Sequence, residues 1–208
     1  RISPEAPVPV VEIHRRAYGP GGAANTAANV VSLAGRAVLC GIIGSDHHAE
    51  KLEEALHQAG VDTAELVVDS GRPTTTKTRI VARSQQLVRL DAEQTGPLRI
   101  ELEDALLQCL EKRLIEADVC ILSDYGKGVV SSRIAECFIR QARDAAKPLI
   151  VDPQGSNYVK YRGATLITPN VQEAERALNR EINGDIDLVE VGQRLLNILS
   201  GSSVLITR

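Results

Sequence analysis

The chain has 208 residues, 43% of them apolar and 25% charged, with a formal charge of −3. That length can bury a substantial core within one domain, and the charge balance lacks the basic footprint of a nucleic-acid binder. One Phe, four Tyr and no Trp leave few platforms for stacking bases, and no apolar run reaches the roughly 18–20 residues that cross a bilayer. The opening "RISPEAPVPVVEI" lacks the basic-then-apolar order of a signal peptide. Cys40, Cys109, Cys120 and Cys137 are widely spaced, with no C-x-x-C pair. Four reduced, packed thiols are expected, which points to the cytoplasm.

In chain order, the proline-spaced "APVPVVEI" is extended and has no helix to pair with. Glycines 21 and 22 open a helix, followed by a strand-type run over 36–44 and a helix over 47–59 that ends at Gly60, a left-handed cap. Residues 74–93 read as two strands meeting near Arg83–Ser84, with no helix between them. In 99–116, Leu102, Leu106, Leu110 and Leu114 recur every fourth position, and Ile134, Phe138, Ile139 and Ala142 do the same in 131–146. Further strands are expected at 118–124, 147–153, 164–170 and 202–208. These strands are continuously apolar, as expected of strands covered on both faces. The alternation predicts an α/β fold with a mainly parallel sheet and helices on both sides. An accessory β-layer of about 1–16 and 72–93 stands beside it as a lid or an interface.

Four stretches carry candidate chemistry. "AYGPGGAANTAANVV" loosely fits a dinucleotide loop at Gly19, Gly21 and Ala24, but polar "HRRAY" occupies the place of the strand that such a loop requires. Bare Gly21 and Gly22 with Asn25 suit a polyol, since an amide both donates to and accepts from hydroxyls. The bland account is a glycine turn with Asn25 capping locally. "LSDYGKGVV" lies at the carboxyl end of a buried strand, where open α/β sheets bind ligands. There Asp124 can accept from hydroxyls or help position a metal, and Lys127 can meet phosphate oxygens; the alternative is a solvated turn. "ITPNVQEAERAL" is either a helix start with Asn170 and Glu173 as a capping box or a set of oxygen donors beside a magnesium–nucleotide. Lys77, Arg79 and Arg83 share one strand face, with Arg89 on the next strand; they could bind a phosphorylated substrate or form a solvated lid face. The four histidines show no metal spacing and read as surface residues.

In order, "GGAAN", "GIIGSD", "TTTKTRI", "LSDYGKG", "VDPQG" and "TPNVQEAE" resemble the ribokinase-like (PfkB) carbohydrate kinases over essentially the whole chain. "RISPEAPVPVV", "GGAANTAANV" and "RPTTTKTRIVARSQQLVRLD" look most like the branch acting on heptose 7-phosphates, which occurs alone or joined to an adenylyltransferase. The resemblance implies a three-layer α/β/α sandwich over 1–208 with a small β-lid, often paired between subunits as a homodimer. It implies ATP- and Mg-dependent phosphorylation of D-glycero-β-D-manno-heptose 7-phosphate at O1, supplying ADP-heptose for the lipopolysaccharide core. Carried onto this sequence, Gly21, Gly22 and Asn25 hold sugar hydroxyls, and Lys77, Arg79 and Arg89 lie near the sugar phosphate. Asp124 and Lys127 sit between the ligands, Asp124 on the substrate side and Lys127 on the nucleotide side. Asn170 and Glu173 serve the magnesium–ATP, Glu173 reaching the metal through water.

The family's catalytic aspartate ends a G-A-G-D motif whose helix start stabilises the transferring phosphoryl group. No G-x-G-D occurs here, so the base is expected beyond Arg208, the domain is expected to be incomplete at both ends, and no catalytic residue is assigned within the chain. The other readings are a kinase for another sugar or sugar phosphate, a non-catalytic sugar-phosphate-binding domain, and, least supported by the sequence, a dinucleotide-dependent reductase.

Overall fold

The computed structural model describes residues 5–6, 10–82 and 85–208. Residues 1–4 and 7–9 of the expected lid segment lie outside the described residues, as does the expected strand junction at Arg83–Ser84 with its candidate cation Arg83. The elements follow the order α1 (Ala23–Ser32), β1 (Val38–Ile43), α2 (His47–Gln58), β2 (Asp62–Val68), β3 (Thr76–Ala82), β4 (Gln85–Ala92), α3 (Ile100–Leu114) and β5 (Cys120–Ser123). They continue with α4 (Ser132–Asp144), β6 (Leu149–Asp152), a 3-10 turn (Tyr158–Tyr161), β7 (Leu166–Ile167), α5 (Val171–Leu178), α6 (Asp185–Leu199) and β8 (Ser203–Val204).

Local chemistry explains the helix boundaries. Asp46 starts α2 by accepting from the Ala49 N–H at 2.9 Å, and Ser131 starts α4 by accepting from Ile134 at 3.2 Å. Gly60, just past α2, has φ +77°, the left-handed geometry expected of it. On α4 the four-residue spacing delivers Ile134, Ala135, Phe138, Ile139 and Ala142 to the interior. The larger core joins that helix to Leu149 and Val151 of β6, Ile167 of β7 and Leu195 and Leu199 of α6. Each fully buried Leu or Ile there contributes about 1.5–3 kcal/mol relative to exposure. A second core gathers Ala24, Ala27, Leu39, Leu56 and Val61 around α1, β1 and α2.

The layers form a three-layer α/β/α sandwich. Its strands run parallel in β1–β2 and in β5–β6–β7–β8, while β3–β4 is a separate antiparallel hairpin. Helix α6 was not expected, and the strands expected at 164–170 and 202–208 narrow to Leu166–Ile167 and Ser203–Val204; three further differences bear on the site. β2 is an additional strand, in which Glu65 is buried and bonded to Lys112 Nζ at 2.7 Å and Arg113 Nε at 2.8 Å, both from α3. The described part of the expected N-terminal lid strand, 10–16, carries no strand. Residues 11–16 are exposed, so the segment gains little burial to offset the entropy of ordering, and among the described residues the hairpin pairs with no further strand. Finally, the parallel sheet is divided. Among the described residues β1 pairs only with β2 and β5 only with β6, and both β1 and β5 line one cleft of about 2050 Å³. Val38 and Ile121 are therefore 41% exposed, although their apolar runs read as strands covered on both faces.

Candidate functional site

The cleft collects the first two motif loops and the hairpin. Gly21, Gly22, Lys77, Arg79, Asp124, Tyr125 and Lys127 all line it. Asn25, Arg89, Asn170 and Glu173 are not on its lining, and Asn25 is exposed on α1. Gly22 begins α1 at φ +55° with no capping side chain, so Asn25 does not cap it. A Cβ at Gly22 would stand 3.4 Å from the Tyr125 ring. The positive φ is what favours glycine there, and the "GGAAN" and "DYGKG" loops meet at this point.

Asp124 directly follows β5, and both of its carboxylate oxygens are engaged by the protein. Oδ1 accepts the Gly126 N–H at 2.7 Å; Oδ2 accepts Lys160 Nζ and Tyr161 O–H, each at 2.7 Å. The side chain is 3% exposed. Lys160 also donates to the Val130 carbonyl at 3.1 Å and lies over the Tyr161 ring at 4.9 Å. Burial and the hydrogen bond to Asp124 push the Tyr161 phenol well above its usual range, so it is a donor that keeps its proton. Asp124 thus folds the site loop rather than offering free oxygens to the cleft. Lys160 and Tyr161 had no sequence signal of their own, being 36 and 37 residues away.

The lid cations are likewise partnered. Lys77 Nζ reaches Asp91 Oδ2 at 3.0 Å and Glu93 Oε2 at 3.4 Å; Arg89 Nε reaches Asp91 Oδ1 at 2.9 Å; Lys127 Nζ reaches Glu93 Oε1 at 2.6 Å. Arg79 lies directly opposite Arg89 in the hairpin register, and like charges in that position repel. Among the described residues Arg79 has no ion-pair partner. Neither acid was legible as a partner: a register shift between Ile80 and Val81 brings Asp91 opposite Lys77, and Glu93 lies past the strand end.

At the far end of β7, Asn170 and Glu173 form a complete capping box. Asn170 Oδ1 accepts the Glu173 N–H at 2.9 Å, and Glu173 Oε2 accepts the Asn170 N–H at 2.8 Å. This is the bland account of the motif, and it leaves the outer carboxylate lone pairs free. Asp152, at the end of β6, has its carboxyl raised by burial and then by the charges of Glu173 and Asp124. No group of three His, Cys, Asp or Glu side chains positioned to hold a metal occurs among the described residues. All four cysteines are free, and among the described residues no helix is long and apolar enough to cross a membrane.

This divided sandwich with an antiparallel hairpin over a cleft is similar to solved sugar-kinase structures. It matches the tetrameric inhibited form of phosphofructokinase-2 from Escherichia coli at TM-score 0.69 and 20% identity, covering 89% of this chain and 61% of that one. A structure described as Sa239 matches at TM-score 0.77 and 18% identity, over 100% of this chain and 67% of that one. The chain belongs to the pfkB family of carbohydrate kinases, whose family model matches residues 1–208. Among curated relatives, the bifunctional protein HldE of Shewanella amazonensis is 44% identical over all of this chain and 42% of its own length. HldE of Wolinella succinogenes is 42% identical over 90% of this chain and 40% of its own length. The chain spans about two fifths of the length of these relatives.

Proposed function

We propose that this chain is the sugar-phosphate-binding part of an ATP-dependent kinase that phosphorylates D-glycero-β-D-manno-heptose 7-phosphate at O1. The observation that carries the reading is the charge arrangement at the cleft. Among the described residues, Lys77 and Lys127 on the lining and Arg89 beside it are ion-paired to two carboxylates, Asp91 and Glu93, while Arg79, also on the lining, has no ion pair, so these six side chains leave an excess of two positive charges. A phosphate monoester near neutral pH brings about −1.5 to −2. The likeness to HldE proteins supports the heptose as the sugar that carries that phosphate.

In this reading the backbone at Gly21 and Gly22, with Asn25, meets the sugar hydroxyls, and Lys77, Arg79 and Arg89 meet the phosphate. Asp124 acts through the loop that it folds. Lys127, expected on the nucleotide side but tied through Glu93 to Lys77, is assigned to the sugar phosphate in this reading; Asn170 and Glu173 face the nucleotide, and Glu173 would hold Mg²⁺ through water. The bound metal would neutralise charge on the phosphoryl groups. The cleft between β1 and β5 supports reading 1–208 as part of one larger kinase domain. Exposed Val81, Leu87, Val88 and Leu90 on the hairpin support a homodimer formed through the lid. Four free thiols support a reducing, cytoplasmic setting.

The test is phosphorus NMR of the full-length gene product with MgATP and heptose 7-phosphate. Formation of the 1,7-bisphosphate supports the reading; transfer to fructose 1-phosphate or ribose instead reassigns the sugar.

A further inference from the structure

Arg72 lies between β2 and the hairpin, and neither its burial nor its partners are explained by any motif in the sequence. Its side chain is 7% exposed. Nη1 donates to the Lys127 carbonyl at 3.2 Å and Nη2 to the Gly96 carbonyl at 2.9 Å. Nε stands 3.5 Å from Asp69 Oδ2 but makes no hydrogen bond. Asp69 is equally buried, and its Oδ1 accepts the Gly71 N–H at 2.9 Å and Arg99 Nη2 at 3.2 Å. A guanidinium taken out of water for one imperfect ion pair is costly. Its rigid fork sets two separate nitrogens on carbonyls from separate loops, a spread that one ammonium nitrogen does not reproduce.

Those two carbonyls belong to functionally different segments. Lys127 is on the site loop, and Gly96 is on the chain returning from the hairpin. The segments touch backbone to backbone: Gly128, at φ +78°, would place a Cβ 2.0 Å from the Gly96 oxygen. The outgoing leg of the hairpin is fixed separately. The Thr74 N–H donates to Asp46 Oδ2 at 2.8 Å, and Thr74 Oγ1 accepts the Gly44 N–H at 2.9 Å. Pro73 restricts Arg72 to extended backbone, which holds the side chain at this junction.

We infer that Arg72 is a positioning residue that locks the root of the lid hairpin to the site loop, so that Lys77, Arg79 and Arg89 are set in register with Lys127 around one phosphate. The inference rests on the phosphate-site reading above. It leads to a coupling that neither the lid nor the loop possesses alone: loosening the junction mobilises both together and weakens sugar-phosphate binding while leaving the nucleotide end untouched.

The experiment compares Arg72→Lys, Arg72→Gln and Gly128→Ala in the full-length gene product, with Leu56→Ala, a lesion in the other core, as the stability control. KM for heptose 7-phosphate, KM for MgATP and kcat are measured separately, and hydrogen exchange is followed over 74–99 and 124–130. The expected result is a rise of about ten-fold or more in sugar-phosphate KM for all three junction variants. KM for MgATP stays within about two-fold, and exchange rises jointly in both segments. Arg72→Lys does not rescue, because a single nitrogen on a shorter side chain replaces the two that meet the carbonyls. If an Arg72 variant does not fold, Gly128→Ala reads the same junction from the other side. A fall in thermal stability like that of Leu56→Ala, with sugar-phosphate KM unchanged or with exchange rising in only one segment, overturns the inference. Joint exchange in a protein that phosphorylates no sugar phosphate leaves the lock standing and removes the function assigned above.

Discussion

Lys127 and Glu93 meet at 2.6 Å across the space between the site loop and the end of the lid hairpin. The same carboxylate reaches Lys77 at 3.4 Å, so one acidic residue occupies two cations that an incoming phosphate would also use. The hydrogen bond from Lys127 holds the Glu93 carboxyl below the usual carboxylate range, so at neutral pH it is an ionised competitor. Glu93→Gln removes the competing charge and leaves the shape. Inorganic phosphate titrated into the protein by calorimetry is expected to bind about two- to five-fold more tightly, the range that one partly exposed ion pair is worth. Unchanged or weaker binding would separate Lys77 and Lys127 from the phosphate site.

Asn170 and Glu173 can be tested for their two roles independently. Gln at position 173 can still return a hydrogen bond to the Asn170 N–H, so Glu173→Gln keeps the capping box and removes the charge. Unfolding free energy is expected to change by less than about 0.5 kcal/mol, while MgATP affinity falls. Asn170→Ala breaks the cap and is expected to cost about 1 kcal/mol in urea unfolding. Equal MgATP affinity for wild type and Glu173→Gln would leave only the cap.

The buried Asp124 cluster predicts an ordering of stability losses. Tyr161→Phe removes a donor to a buried carboxylate and is expected to cost about 1.5–3 kcal/mol. Asp124→Asn leaves the mostly buried Lys160 ammonium without its counter-charge and is expected to cost more, about 3–5 kcal/mol. Chemical denaturation of both variants checks this, and the reverse ordering would mean that Lys160 finds water or another partner.

Glu65 gives a pH signature. Hydrogen bonds from Lys112 and then Arg113 lower its carboxyl from the usual 4.5 to about 2. A carboxyl depressed in the folded state binds protons more readily when unfolded. Its contribution is therefore full above about pH 4.5 and is lost as pH falls towards 2. The stability difference between wild type and Glu65→Gln should be flat near neutrality and shrink through that window in acid denaturation. A constant difference down to pH 2 would contradict the ion-pair account.

Short-range pattern made much of this molecule legible. The leucine ladder of α3, the amphipathic α4, the Gly60 cap and the unbroken apolar runs of β1, β5 and β6 each express a periodicity read within one element. The lid hairpin was visible because no helix interrupts 74–93. β2 escaped because Asp62 and Glu65 break its apolar run, and the cations that satisfy Glu65 arrive 47 and 48 residues later. The motif glycines and cations could be named, but not what each one touches.

By itself, then, the sequence determined the parallel α/β framework, the lid hairpin and the family, because these follow from local periodicity and ordered motifs. Only the tertiary structure decided that Asp124 is consumed within its own loop, that Asp91 and Glu93 sit among the cations, and that Arg72 joins lid to loop. It also decided that β1 and β5 stand apart across a cleft. Each of these is a through-space relation, and Coulomb attraction and hydrogen bonding depend on the distance between side chains rather than on their separation along the chain.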